Sequence, residues 1–309
     1  MSTQLLIAAA CGLVAALCNL APLSGNSGGF MLSMIAPMPI FIAGLMQGWL
    51  FSLGAGLLAA AITLGIGGTL PAALFTATVV LPASVLVRQA LLAQPDQDGD
   101  LVWYPVTRLA LWLGGVGVVI GLGAMAVIDA QILDGIVDTA LAIVAGESEI
   151  PAEVRDRVRD FAVRAVPAFI ATSAVLSLLL NGSVAQRIAE RTGRAVRPRL
   201  VFTDMRLPSV LALGLAVLTL APLFLTGVAG QVAMILAFML GMLFALQGLI
   251  VAHLYARAAG GVPLMAGLYI FGLALLLLLG PVLIMTLLLL GIADAFFSLR
   301  RRPSGSTGT

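Results

Sequence analysis

Long runs of apolar residues follow one another along nearly the whole chain, separated by short polar connections. A helix that crosses a bilayer needs about 20 such residues. The first eight runs cover residues 4–21, 30–46, 50–66, 72–87, 106–128, 166–180, 208–225 and 232–254. The pattern predicts an all-α, polytopic helical bundle.

The last apolar run, from Pro263 to Phe297, is too long for one crossing. As a single helix it would extend about 52 Å, against a hydrocarbon core of about 30 Å. Gly280 and Pro281 lie at its middle and predict a hairpin. We therefore expect about ten transmembrane segments, or about eight if the short runs around Pro37 and Pro39 are re-entrant.

Charge on either side of the run 166–180 predicts the orientation of the bundle. Residues 129–165 carry most of the acids, whereas the connection 184–207 carries six arginines against two acids. Because cytoplasmic loops are enriched in Arg, this run crosses from outside to inside. Both termini are then cytoplasmic, with residues 1–298 forming a single transmembrane domain and residues 299–309 a disordered cytoplasmic tail.

The acidic region 129–165 has a helical pattern of its own. Ile132, Leu133 and Ile136 recur at helical spacing with Asp134 opposite, which is typical of an amphipathic helix. A second helix is expected to start at Pro151 and to lead into the sixth span. We expect exterior amphipathic helices between the fifth and sixth spans.

The composition excludes a water-soluble globule, because 61% of the residues are hydrophobic and only 10% are charged. Every basic residue is Arg, so the basic loops could bind lipid phosphate or a protein partner. Nucleic acid is not expected as a partner, since the arginines are few, are interrupted by acids and lack interleaved aromatic residues.

Signals for catalysis are weak. Gly25 to Gly28 fits the GxSG pattern of rhomboid intramembrane proteases, but the predicted topology puts Ser27 outside and His253, the single histidine, inside. A nucleophile and its base must lie within about 3 Å of each other. The chain has no P-loop, no HExxH and no Cys/His cluster. We expect neither an enzyme nor a cofactor or metal site.

Two groups of uncharged polar residues are candidates for binding a small molecule. The densest group lies on the predicted outer side, in and beside a glycine-rich loop, and consists of Asn19, Ser24, Asn26 and Ser27. Gln47 and Gln247 lie within or beside apolar spans, where an amide either binds a ligand or joins two helices.

Asp294 is an acid deep within an apolar run, where an ionisable group is costly unless it is paired or faces a cavity. One interpretation is a proton or cation site. The other is an ion pair at the inner face, since the predicted topology places Arg88, Arg108, His253 and Arg257 at the same depth.

Two stretches of the second half carry a family resemblance. The matching residues are Pro167, Asn181, Arg187, Arg194, Phe202 and Arg206 to Pro208, followed by Gly291, Asp294 and Arg300. In these features the chain resembles the YybS-like bacterial membrane proteins, a family of unknown function. The resemblance implies a multi-pass protein of the bacterial cytoplasmic (inner) membrane.

In the first half, Pro37 and Pro39 precede a glycine-punctuated helix pair. This arrangement resembles the substrate-capture subunits of energy-coupling-factor vitamin transporters. In those subunits the loop between the first two spans gates the substrate, which implies a ligand near Asn19 to Ser27 here.

Two hypotheses for function follow. The first is a membrane protein that binds or moves a small molecule, with energy from a partner protein or an ion gradient because the chain has no ATPase motif. The alternative is a non-transporting scaffold or assembly factor that recruits membrane or cytoplasmic proteins through its loops.

Overall fold

The structure, a computed structural model, describes residues 3–145 and 151–300, except for the side chains of residues 130, 144, 145, 260–271 and 273–279. This part of the chain is helical apart from a short hairpin and connecting loops, so the predicted all-helical class is confirmed. Eight stretches within it are long and apolar enough to cross a membrane. Residues 301–309, most of the predicted disordered tail, lie outside the described range.

The chain forms two compact units. Unit 1 contains Met1–Ile120 and Ile170–Leu200, and unit 2 contains Gly121–Phe169 and Val201–Thr309. Two long helices contribute to both units. The single transmembrane domain stays a prediction.

Unit 1 begins with helices that follow the predicted apolar runs closely. They are α1 (Thr3–Leu20), α2 (Ser27–Met34), α3 (Pro37–Gln47), α4 (Trp49–Gly67), α5 (Thr69–Phe75) and α6 (Leu81–Ala90). A π-helical turn, Thr76–Val80, joins α5 to α6 within one candidate span, Thr69–Ala90. Such turns are rare and are frequent at functional sites.

The connection after α6 holds a short antiparallel hairpin that the apolar pattern did not predict. Strand β1 (Ala93–Pro95) pairs with β2 (Leu101–Trp103), with Ala93 opposite Trp103. Helix α7 (Val106–Val127) follows and continues into unit 2. Each strand has only three residues, too few to give an alternating pattern in the sequence.

The proline-containing run is broken, as expected, but the break precedes the prolines. Pro37 is the first residue of α3, a position that proline favours because its missing N–H needs no partner there. The freed Met34 carbonyl accepts hydrogen bonds from Asn181 Nδ2 at 2.8 Å and Ser177 Oγ at 3.1 Å. Backbone groups freed within an apolar bundle need such partners, and this contact gives Asn181 a structural role.

Unit 2 begins with the helices predicted to be amphipathic. Helix α8 (Ala130–Ala145) buries Leu133 and Val137 against Ala162 of α9 (Ala152–Arg191). Ion pairs join Asp134 to Arg159 and Asp138 to Arg155. The apolar side of α8 therefore packs on α9, and α9 continues without interruption through the predicted sixth span. The exterior location of these helices stays a prediction.

Helix α10 (Ser209–Leu220) is shorter than the predicted seventh span. Its 12 residues extend about 18 Å, less than the hydrocarbon core of about 30 Å. The apolar run continues only into a 3₁₀ turn, Ala221–Leu223.

Helix α11 (Gly227–Phe297) does not run straight. Its first leg, Gly227–Ala259, packs on its last leg, Gly280–Phe297. A side chain added at Gly241 would meet Leu288, and one at Gly248 would overlap the Leu287 carbonyl. Further along, Tyr255 Oη donates to the Leu299 carbonyl at 3.1 Å.

Gly291 lies against the Phe244 carbonyl, Gln247 donates to Asp294, and Tyr255 donates to the Leu299 carbonyl. Residue numbers rise together on both legs along these three contacts, so the legs are parallel. Two parallel helices of one chain require the chain between them to return to the starting side. The 20 residues from 260 to 279 would extend about 30 Å as a helix, enough for one return. The predicted hairpin at Gly280 is consistent with this geometry, while the total of ten segments stays a prediction.

Candidate functional site

Helices α3, α4 and α6 of unit 1 pack closely against one another, and two tight turns bring them together. Helices α3 and α4 are joined at Gly48, and α4 is joined to α5 at Gly68. Both glycines have positive φ, 109° and 89°, a conformation that side chains disfavour. Each glycine therefore allows a tight reversal between two antiparallel helices.

Residues at equal distances from a turn glycine face each other across each hairpin. A Cβ added at Gly44 would lie 2.7 Å from Ser52 Cβ and 2.7 Å from Val87 Cγ1, and one added at Gly56 would overlap Val80. Hence α3, α4 and α6 pack with almost no space between them at these levels.

The same register brings two serines to one level. On α4, Ser52 lies one turn from Gly56, and on α6, Ser84 lies one turn beyond Val80 in the antiparallel direction. Both serines are buried, with exposures of 0% and 4%. Gln47 ends α3 on the same side of the unit, one turn beyond Gly44.

Within the residues that the structure describes, no hydrogen-bond partner occurs for the side chains of Gln47, Ser52 and Ser84. Both amide atoms of Gln47 and both serine hydroxyls are buried and unpaired. Serines in apolar helices ordinarily bond to their own helix, as Ser183 Oγ does to the Leu179 carbonyl at 2.7 Å. A buried unpaired polar group costs about 1–3 kcal/mol. We define these three residues as the polar cluster.

A loop after α9 covers the end of unit 1 where the polar cluster lies. The Val196 N–H donates to the Leu45 carbonyl at 3.0 Å, at the end of α3. Arg197 Nη1 donates to the Ala90 carbonyl at 2.8 Å, at the end of α6. Its cation lies at the negative end of the helix dipole there, which favours the contact.

The outer residues predicted to bind a ligand mostly have structural partners. Asn19 Nδ2 donates to Thr63 Oγ1 at 3.3 Å, and Ser24 Oγ donates to the Ala21 carbonyl at 2.7 Å. Asn26 caps α2 by accepting from the Gly29 N–H at 2.7 Å. Ser27 is the exposed first residue of that helix. Ligand binding at this group stays a prediction.

The two glutamines separate into different roles. Gln47 belongs to the polar cluster, whereas Gln247 is fully buried in unit 2 and has partners for both ends of its amide. It accepts from the Leu207 N–H at 2.8 Å and donates to Asp294 Oδ2 at 2.8 Å. The contact with Asp294 joins the first leg of α11 to its last leg, and ligand binding by Gln247 stays a prediction.

Asp294 is paired, and its partner is Arg300. The Arg300 Nη2 atom lies 2.6 Å from Asp294 Oδ2, and the two side chains are 4% and 3% exposed. Arg300 also donates to the carbonyls of Thr203 and Met205. This network joins both stretches that carry the family resemblance, the one ending at Pro208 and the one from Gly291 to Arg300.

The other members of the predicted inner-face cluster belong to different units. Arg88 and Arg108 are exposed residues of unit 1, with the Arg88 guanidinium 5.9 Å from the Trp49 ring. His253 and Arg257 lie on the first leg of α11 in unit 2. A cluster of all five residues stays a prediction.

One family model matches residues 27–295, most of the chain, including the polar cluster and Asp294. The chain belongs to the family described as Predicted membrane protein (DUF2232). This membership establishes a membrane protein. The comparison does not bear on the YybS-like resemblance or on the similarity to substrate-capture subunits. No curated protein and no solved structure matches the chain.

Ser52 and Ser84 are not among the residues predicted from the sequence to bind a ligand. A lone serine in an apolar run is common and ordinarily bonds to its own helix, so neither residue stood out. Their distances in sequence from Gly48 and Gly68 could have predicted the pair. If the chain reverses at both glycines, Ser52 and Ser84 lie at the same level of the bundle.

Proposed function

We propose that unit 1 binds a small polar molecule at the polar cluster when α3, α4 and α6, which pack closely there, move apart, and that the chain is a solute-binding or transport protein of the membrane. The observation that carries the proposal is the set of unpaired buried atoms on Gln47, Ser52 and Ser84. Polar groups within a membrane bundle are costly, and their retention indicates a task beyond packing.

The chemistry of the polar cluster favours an uncharged ligand. An amide offers two donors and one acceptor, and each hydroxyl donates and accepts. None of the three side chains carries a charge that could neutralise an ion. A molecule with hydroxyl, amide or ring-nitrogen groups would satisfy these atoms, whereas a buried ion would keep most of its desolvation cost.

Topology in this proposal follows the arginine asymmetry. The loop around Arg197 contacts Ala90 and Tyr104, so the basic connection after α9 and the connection flanked by Arg88 and Arg108 lie at one end of unit 1. Both connections were predicted to be cytoplasmic, and their adjacency supports that prediction. The polar cluster would then open toward the inner face of a bacterial cytoplasmic membrane, in a bundle of about ten spans.

Transport would need energy from outside the chain, either an ion gradient or a partner protein. Catalysis is not part of the proposal, and no group of metal ligands occurs among the residues that the structure describes. The scaffold alternative predicts that no ligand binds at the polar cluster, because a protein that recruits partners through its loops needs no unpaired polar atoms between its helices.

A thermal-shift screen of the full chain in detergent tests the proposal, since a ligand stabilises the fold that binds it. The library holds small uncharged metabolites. Any hit is repeated on Ser52→Ala and Ser84→Ala, with Ser183→Ala as the matched control because its hydroxyl already has a backbone partner.

The proposal expects a hit that stabilises the wild type and Ser183→Ala and is weakened about tenfold by either cluster substitution, the effect of one lost hydrogen bond of about 1.4 kcal/mol. A broad library without hits would favour the scaffold. Hits that are insensitive to both cluster substitutions would place the ligand elsewhere.

A further inference from the structure

Arg197 is a buried cation with no carboxylate partner among the residues that the structure describes. Its side chain is part of a residue only 7% exposed, and it donates to the carbonyls of Ala90 at 2.8 Å and Tyr104 at 3.0 Å. Burial lowers the pKa of the Arg197 guanidinium, because desolvation disfavours the charged form. Two neutral carbonyls use two of its five N–H donors. The charge therefore lacks a counterion.

An open groove of about 740 Å³ adjoins this guanidinium. Two acids, Asp100 and Glu190, also line the groove, together with the apolar side chains of Leu101 and Trp103. Glu190 accepts from the Gln186 amide at 3.0 Å, and neither acid forms an ion pair within the described part of the chain. One cation and two carboxylates therefore line the groove, and no ion pair joins them within the described part of the chain.

Aromatic residues indicate that the groove lies at the level of lipid headgroups. The Arg197 guanidinium lies 5.7 Å from the Trp103 ring, and Trp112 Nε1 donates to Tyr104 Oη at 3.2 Å. Trp49 lies near the same end of unit 1, beside Arg88. Tryptophan and tyrosine concentrate where a membrane meets water, so phospholipid headgroups are the abundant ligands at this depth.

We propose that the groove binds the headgroup of a zwitterionic aminophospholipid. Arg197 would donate to the phosphate through its remaining N–H groups, as arginine commonly does. Glu190 and Asp100 would accept hydrogen bonds from the primary ammonium. An anionic glycerol headgroup would meet the two carboxylates, and a choline headgroup has no N–H to donate. This site is separate from the polar cluster and does not depend on the function proposed for it.

The test compares lipids of identical acyl chains that carry ethanolamine, choline or glycerol headgroups, added to the full chain in detergent and followed by native mass spectrometry. Water-soluble phosphoethanolamine is a fourth arm that distinguishes a free phosphate from a lipid. We expect the ethanolamine lipid to bind most tightly, about tenfold over the other two, as one charge-assisted hydrogen bond allows.

Substitutions of the residues that line the groove test whether the preference for the ethanolamine lipid arises there. The double substitution Asp100→Asn and Glu190→Gln should abolish the preference for ethanolamine, and Arg197→Gln should abolish lipid retention. Arg197 also holds the loop in place through Ala90 and Tyr104, so Arg197→Gln could unfold the protein. In that case the double substitution of Asp100 and Glu190 is the variant that tests the proposal. The control is Arg194→Gln, an exposed arginine of the same loop that does not line the groove, and it should behave as wild type.

Equal binding of the three lipids to the wild type would overturn the proposal. An unchanged preference in the double variant would overturn it as well. If phosphoethanolamine bound as tightly as the ethanolamine lipid, the ligand would be a soluble phosphate compound and the assignment to lipid would be wrong.

Discussion

Breaking the ion pair of Asp294 and Arg300 should destabilise the protein strongly. Both side chains are almost completely buried, and three donor atoms converge on Asp294 Oδ2: Gln247 Nε2 at 2.8 Å, Arg300 Nε at 2.9 Å and Arg300 Nη2 at 2.6 Å. Asp294→Asn keeps the volume and removes the charge. Arg300 would then be a buried cation with only neutral acceptors nearby, the carbonyls of Thr203 and Met205 and the introduced amide oxygen.

Removal of one partner of a buried pair typically costs about 3–5 kcal/mol. The free energy of unfolding can be measured by reversible denaturation in mixed micelles, for Asp294→Asn, Arg300→Gln and the double variant. The double variant should be less destabilised than the sum of the two single variants, because the second substitution removes the uncompensated charge.

An exposed pair of unit 2 gives the matched control. Asp138 and Arg155 form an ion pair with side chains 52% and 56% exposed, and such pairs contribute about 0–1 kcal/mol. Asp138→Asn should therefore have little effect. A value for Asp294→Asn no larger than that of this control, or strictly additive single variants, would refute the structural role assigned to Asp294.

Three further predictions concern unit 1. Asn181→Leu removes one of the two donors to the Met34 carbonyl and should lower the free energy of unfolding by about 0.5–1.5 kcal/mol, the net value of one hydrogen bond, because Ser177 still donates to that carbonyl; a wild-type melting temperature would contradict this role. Gly56→Ala overpacks the contact between α4 and Val80 of the π-helical turn and should cost about 1–3 kcal/mol. Gly54→Ala, where a Cβ meets nothing within 4 Å, should be neutral or stabilising by up to about 1 kcal/mol; equal melting temperatures for the two variants would count against the packing. Ala195→Cys in intact cells should resist a membrane-impermeant thiol reagent, and labelling from outside would reverse the topology.

Much of the helical architecture was predictable because long apolar runs in a membrane chain permit few alternatives. The predicted run 50–66 corresponds closely to α4, and the glycines at both of its ends have the positive φ expected of tight turns. The run 208–225 was less informative, since hydropathy alone does not show that helix α10 ends at Leu220.

The site was less predictable than the fold. The residue type alone predicts Gln47 as a candidate, but Gln247 has the same residue type and is hydrogen-bonded to Leu207 and Asp294. Whether a buried amide is paired depends on neighbours far away in the chain, which periodicity does not reveal. The same is true of Arg197, one of many loop arginines until Ala90 and Tyr104 surround it.

The central claim is that the fold retains unpaired polar atoms at the polar cluster for a ligand. The most direct test is the free energy of unfolding of ligand-free Ser52→Ala/Ser84→Ala, compared with wild type and with Ser183→Ala. If the two hydroxyls lack partners, their removal eliminates a cost of about 1–3 kcal/mol each, and the double variant should be more stable than wild type. A double variant less stable than wild type would mean that both hydroxyls already have partners in the empty protein, and it would contradict the claim.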